Sequence, residues 1–276
     1  FPDLWRDTFQ ALQKKGTKII LLSAALFRHS QAEVEINKRF LSEYPPAIIL
    51  TRDTSSFEMF KNYAEFSYNG IDSAFFVPEF YNPLPIDLNP YIAINFDRFP
   101  EPDFYMGGRE TSVGNFDHTF DALGHRWCLK SPRLPFYLSN LGKWQSYIGA
   151  MVDRRRLPSK IDKFNVIRTE HRYIPHVGWK IYKQSNVVVS EEPFTYLSIY
   201  GGTALTLSDR VHACIVTLAY GRPAMLFSPS PRSEIFDRMG LSEIRKRPVT
   251  LPREQLEEEK NNLVSFLKNA VSKSEK

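Results

Sequence analysis

The sequence predicts an α/β protein of two halves facing a cleft, each half built on a parallel sheet. Three observations predict it. Short apolar runs alternate with helically spaced segments from Lys18 to Val77. The same alternation resumes at Lys163 and continues to Gly240. Between them, residues 81–160 lose the rhythm, with Pro, Asn and Asp clustered at 82–103 and Gly at 107–108. A β-α-β-α-β order calls for a doubly wound sheet, in which ligands bind beyond the carboxyl ends of the strands.

Taken in order, Lys18–Phe27 is apolar enough for a buried strand, and Gln31–Tyr44 carries Val34, Ile36, Phe40 and Leu41 at helical spacing. Ala47–Leu50 reads as a second buried strand, closed by Thr51, Arg52 and Asp53. Ser55 and Glu58 form a capping box for the next helix, and Ile71–Val77 is a third apolar run. Residues 81–160 read as a long connection with helix around Trp144–Arg155, serving as a packed insertion or as a lid or acceptor surface. Phe164–Arg168 and Asn186–Val189 follow as strands, and Ser190 with Pro193 opens a helix that Gly201 and Gly202 close. Ala204–Leu207, a helix over Asp209–Tyr220, Ala224–Phe227 and a helix from Ser230 to Gly240 complete the second alternation. An amphipathic helix from Arg253 ends the chain, with Leu256, Leu263, Phe266 and Leu267 as its buried side. The expected organisation is therefore an N-terminal half over 1–95, an insertion or linker over 96–160 suited to acceptor binding, and a C-terminal half over 161–276.

Composition excludes several classes. Of 276 residues, 36 are basic and 31 acidic, a net charge of +5. That excess suits an anionic ligand and is too diffuse to indicate nucleic acid. Cys128 and Cys214 form no CxxC pair, so neither a disulfide framework nor a zinc site is expected, and a reducing cytoplasm is the default. No apolar run approaches the ~18 residues of a membrane helix. His171 and His176 beside Glu170 have the wrong spacing for one helical face, so no metal is expected there. GxGxxG, P-loop and Gly-x-Ser-x-Gly motifs are absent from the sequence.

The chemistry concentrates in SDRVHACIVTLAYGRPAMLF, residues 208–227. Arg210 and His212 sit where a helix begins, a place that already presents partial positive charge. Cations there oppose the helix unless an anion is held, so the stretch reads as an anion site, most simply for phosphate. The competing reading makes Arg210 a partner of Asp209 or Glu234, His212 a satisfied, partly buried histidine, and Glu170 a partner of Arg168 or Arg172.

This stretch resembles the polysaccharide pyruvyl transferase family, whose pattern runs Ser-x-Arg-Leu-His-Ala, a helix, then Gly-x-Pro and a strand. The matching residues are Ser208, Arg210, Val211, His212, Ala213, Gly221 and Pro223. Arg52, Asp53 and Ser56 are similar to a second family segment, and the strand ending at Arg168–Thr169–Glu170 to a third. Arg232 stands where family members commonly carry Lys. The family's Gly-rich opening is not found here. The resemblance implies a GT-B-like fold of two Rossmann-like halves and no cofactor. It implies an enzyme that transfers pyruvyl from phosphoenolpyruvate to two hydroxyls of one sugar, giving a cyclic ketal on a cell-surface glycan or its lipid-linked precursor. Arg52, Arg210, Arg232 and Ser208 are then the phosphoenolpyruvate-binding residues, and His212 with Arg210 the catalytic ones. The expected location is the cytoplasm, with the C-terminal helix and basic surface bringing the protein to the inner face of the membrane. Two alternatives stay open: a glycosyltransferase using a nucleotide sugar, and a non-catalytic glycan-binding member.

Overall fold

The structure, a computed structural model, describes residues 2–27, 30–88, 90–97, 99–107, 117–141, 143–153, 155, 157–170, 186–227 and 231–274. In chain order these form α1 (Pro2–Lys14), β1 (Ile20–Ala24), α2 (Gln31–Glu43), β2 (Ile48–Thr51), α3 (Thr54–Phe60), β3 (Phe66–Asn69), α4 (Val77–Phe80), β4 (Tyr91–Asn95), β5 (Asp103–Met106), β6 (His118–Ala122) and β7 (His125–Lys130). There follow α5 (Arg133–Leu141), α6 (Lys143–Val152), β8 (Lys160–Ile161), β9 (Phe164–Glu170), β10 (Val187–Val189), α7 (Pro193–Gly202), β11 (Leu205–Ser208), α8 (Val211–Ala219), β12 (Ala224–Leu226), α9 (Glu234–Arg238) and α10 (Arg253–Ser274). The chain divides into two units. One comprises Phe1–Phe76, Pro229–Ser242 and Pro252–Lys276, the other Val77–Ser228 and Glu243–Leu251.

The first unit holds a parallel sheet in the order β1-β2-β3. Alternation along β2 sets its two faces: Ile49 packs with Phe9, Val34, Phe40 and Phe60 of α1 to α3, while Ile48 and Leu50 pack with Ala270 of α10. Leu263, Phe266 and Leu267 join that second face, and Phe266 stacks on Tyr68 with ring centroids 4.8 Å apart. The apolar side of α10 is thus used inside the unit, so this helix does not offer it to a membrane. Among the described residues no helix is long and apolar enough to cross one.

Three local expectations change here. The α3 cap is Asp53, not Ser55: its extended backbone places Oδ1 2.8 Å from the Ser56 N–H. The third strand is Phe66–Asn69, whose aromatic-polar alternation fits a pleat; Ile71–Val77 instead turns through a 3-10 segment into α4. Finally, β1 is an edge strand that leaves Ile20 and Leu22 exposed.

The second unit holds a parallel sheet in the order β10-β9-β4-β11-β12, with β8 antiparallel to β9. All five residues of β4 are buried, as a central parallel strand requires. The sequence reading placed these residues at the end of the first half and within a Pro- and Asn-rich stretch; the fold makes them the middle of the second sheet. From β4 the chain runs outward through β9 to β10, then returns to β11 on the other side of β4 and continues to β12. The reversal lies between β4 and β11, and their carboxyl ends flank it.

One face of this sheet is covered by helices: Tyr200 of α7 and Ala213 and Val216 of α8 pack with Tyr91, Ala93 and Ile167. The other face is covered by an antiparallel sheet in the order β5-β7-β6. Its Phe120, Trp127 and Leu129 pack against Ile92, Ile94, Leu205 and Leu207. Much of the region read as an insertion is therefore a structural layer.

Candidate functional site

The site is built at the carboxyl edge of the second sheet. Register pairs Ser208 of β11 with Asn95 of β4 and with Leu226 of β12. The Asn95 Nδ2 donates to the Thr169 carbonyl, which ties β4 to β9 at the same level. Ser208 is fully buried, and its Oγ accepts the Arg210 N–H at 2.9 Å. This is the turn chemistry of a serine hydroxyl. In this conformation its hydroxyl sets the backbone of Arg210.

Arg210 is the N-cap residue of α8, and its side chain makes no capping hydrogen bond. No acidic residue lies in its first turn either. Its guanidinium is not poised without an anion, as the sequence suggested. Nε donates to Asp97 at 2.6 and 2.7 Å, and Nη2 donates to the same carboxylate. Burial opposes the charge on Arg210, but the Asp97 carboxylate, with Asp209 and Tyr200 behind it, holds the guanidinium pKa above its ordinary value. Asp97, two residues past β4, was not singled out from sequence; the pairing expected with Asp209 or Glu234 goes to Asp97 instead. Asp209 is 1% exposed and accepts the Phe99 N–H at 2.9 Å, which anchors the loop that carries Asp97. The Arg210 side chain is 23% exposed. Among the described residues, the Arg210 side chain donates to Asp97 through Nε and Nη2. His212, the second residue of α8, is exposed.

Arg168 and Glu101 form a buried bidentate pair, both contacts at 2.7 Å, with side chains 2% and 3% exposed. The third guanidinium nitrogen, Nη1, is buried and has no hydrogen-bond partner among the described residues. Glu170 lies two residues further along β9, so both side chains leave the strand on one face. The sequence reading gave Glu170 a surface ion pair with Arg168 or Arg172. Instead it is buried, Arg168 is committed to Glu101, and Arg172 lies outside the described residues. Burial first, and then the charges of Asp97, Asp209 and Glu101, push its pKa up to about 9, with Arg210 acting in the opposite sense. At neutral pH it is a neutral carboxylic acid.

Asp97, Glu101 and Glu170 are thus the functional candidates that sequence reasoning missed or set aside. A carboxylate two residues past a buried strand was a usable signal for Asp97, but only if β4 had been recognised. Nothing in the Pro-rich stretch around Glu101 announced its partner. Among the described residues no group of three or more His, Cys, Asp or Glu is arranged to hold a metal, and His171 and His176 lie outside them. A cavity of about 340 Å³ lined by residues such as Tyr91, Gly202 and Arg222 opens at the amino edge of the same sheet, away from this chemistry.

The first unit carries the two remaining predicted residues. Arg52 follows β2 and donates through Nη1 to Asp72 at 2.5 Å; its side chain is 12% exposed. Arg232 lies in a 3-10 turn before α9, its guanidinium 5.6 Å from the centroid of the Phe27 ring. Asp53, the neighbour of Arg52, is committed to the cap of α3.

Comparison with known proteins adds the following. A family model described as "Polysaccharide pyruvyl transferase" matches residues 1–231. None of the curated proteins compared with the sequence matches it. The chain is similar to three solved structures. The S. aureus MnaA-UDP co-structure is 11% identical, with a TM-score of 0.46 over 93% of this chain and 61% of that one. A putative UDP-N-acetylglucosamine 2-epimerase from Listeria monocytogenes is 10% identical, with a TM-score of 0.49 over 93% and 62%. The UDP-GlcNAc 2-epimerase from Neisseria meningitidis bound to UDP-GlcNAc is 14% identical, with a TM-score of 0.43 over 95% and 66%. The chain therefore spans less than two thirds of the length of each.

Proposed function

We propose, from the premise that the chain belongs to the polysaccharide pyruvyl transferase family, that it moves a pyruvyl group from phosphoenolpyruvate to two hydroxyls of a sugar on a cell-surface glycan or its lipid-linked precursor. The observation that carries this reading is the start of α8. A nine-residue helix whose N-cap side chain makes no capping hydrogen bond, and whose first turn holds no acidic residue, begins beside the strand reversal, with Arg210 and His212 at its end. Phosphate fits the N–H groups of α8 and Nη1 of Arg210. Asp97 holds Arg210 in place until the ligand arrives and competes with it for the guanidinium.

Transfer needs a proton on the methylene carbon, which makes C2 electrophilic. His212 supplies that proton. One sugar hydroxyl adds to C2 and returns its proton to His212. The C2–O bond to phosphate breaks, the second hydroxyl adds to C2, and its proton leaves with phosphate. Glu170, neutral at physiological pH, donates a hydrogen bond to the bound substrates without placing another negative charge beside a multiply anionic ligand. Arg52 and Arg232 remain in the proposal as phosphoenolpyruvate-binding cations on the strength of the sequence pattern. Replacing either by Ala is expected to raise KM for phosphoenolpyruvate.

The reading is tested by incubating the protein with phosphoenolpyruvate and a panel of lipid-linked and free oligosaccharides. Phosphate release with a new ketal methyl signal in the NMR spectrum supports it. Thermal stabilisation by a UDP- or GDP-sugar and not by phosphoenolpyruvate would favour a glycosyltransferase instead. Glycan binding without any release of phosphate would favour a non-catalytic member. The cytoplasm is the compartment this reading assigns to the protein.

A further inference from the structure

The helical hairpin α5–α6 carries an apolar face that the proposed reaction does not use. The two helices fold back on each other through Gly149, whose ideal Cβ would lie 3.2 Å from the Pro135 carbonyl oxygen and 3.3 Å from the Leu138 Cβ. In an antiparallel pair, the residue preceding each interface position projects to the same side. Leu134 and Tyr137 precede Pro135 and Leu138, and Ile148 precedes Gly149. With Leu141, Trp144 and Met151 they form two rows at helical spacing that share one side of the hairpin. All six are exposed, by 51 to 76%. Seven of the twenty exposed large hydrophobic side chains among the described residues fall between 134 and 152, so this is a patch and not the usual scatter.

Charge decides what covers it. Between residues 130 and 160 the sequence has seven basic residues and one acidic, a local charge of +6; Arg155 is paired with Asp103 and Asp153, Arg154 and Arg156 lie outside the described residues, and Arg133 and Lys160 are exposed. The whole chain carries +5, so the remainder is close to neutral, at −1. A second copy docking through this face would bring two such charges together, which disfavours self-association. An anionic bilayer meets both features. Trp and Tyr beside aliphatic side chains suit the headgroup boundary, and flanking Lys and Arg suit acidic lipids. The helices, nine and ten residues long, are far short of the ~20 residues that span a membrane. We propose that the α5–α6 hairpin lies in the interface of an anionic membrane, its apolar rows inserted and its basic residues on the headgroups. This stands apart from the pyruvyl transfer reading, since neither needs the other.

The test is co-sedimentation with vesicles of phosphatidylcholine alone and of phosphatidylcholine with about a quarter phosphatidylglycerol. Binding is expected on the anionic vesicles, weakened by salt. The double variant Trp144→Ser/Ile148→Ser should lose it by roughly tenfold or more, as two buried apolar side chains are removed. Quenching by brominated lipid should disappear in Trp144→Phe. Arg133→Glu/Lys160→Glu should abolish the preference for anionic lipid, which keeps the idea testable if the serine variant folds poorly. No binding to either vesicle, or binding that both double variants leave intact, would overturn the proposal. So would a wild-type dimer in solution that Trp144→Ser/Ile148→Ser converts to monomer, because the face would then belong to a second copy.

Discussion

Replacing Glu170 by Gln probes the electrostatics of the site most directly. The carboxyl titrates at about 9 in the fold and near 4.5 when unperturbed. Between those values the folded state binds more protons than the unfolded state, so stability falls as pH rises through that window. It is fully present below the lower value and lost as pH passes the upper one. At 1.36 kcal/mol per unit, the wild type carries a penalty of roughly 3 kcal/mol at neutral pH, growing to at most ~6 kcal/mol above pH ~9. Gln has the same shape and no proton to lose. Urea midpoints of the two proteins, followed by circular dichroism in steps from acid to alkaline pH, should be close near pH ~5. They should then separate by about 3 kcal/mol at pH ~7, with the variant the more stable, and diverge further towards pH ~9. A difference that stays constant across this range would refute the neutral carboxyl and the charge balance argued from it. Turnover supplies a second reading: if Glu170 acts as a neutral hydrogen-bond donor, the Gln variant keeps most of it.

Glu101→Gln breaks the buried pair with Arg168 and should cost about 3–5 kcal/mol in a denaturant titration. Glu101→Leu with Arg168→Met should recover most of that, because no uncompensated charge is left. His212→Ala should reduce phosphate release to background while leaving the melting temperature unchanged, since the side chain is exposed. Near wild-type release would remove His212 from the mechanism. Asp53→Ala should cost about 1 kcal/mol through loss of the α3 cap and leave KM and kcat as they were; a kinetic effect would return Asp53 to the site.

The α/β class, the helices over Gln31–Glu43, Val211–Ala219 and Arg253–Ser274, and the two parallel sheets were legible in the chain itself. Apolar periodicity reports burial on one face, and burial on one face is local information. The family pattern at Ser208, Arg210 and His212 was legible for a similar reason, as it occupies one strand-to-helix turn. β4 was not legible, because Tyr91–Asn95 is flanked by turn-forming residues and its partners, β9 and β11, come far later in the chain.

The tertiary fold alone decided the electrostatics. Arg210 finds Asp97 across 113 positions, and Arg168 finds Glu101 across 67. Glu170 is neutral only because burial and three other carboxylates act on it at once. Residue type and spacing determine which groups can ionise. Which of them do so depends on desolvation and on charges brought close through space, and those exist only once β4, β9 and β11 lie side by side.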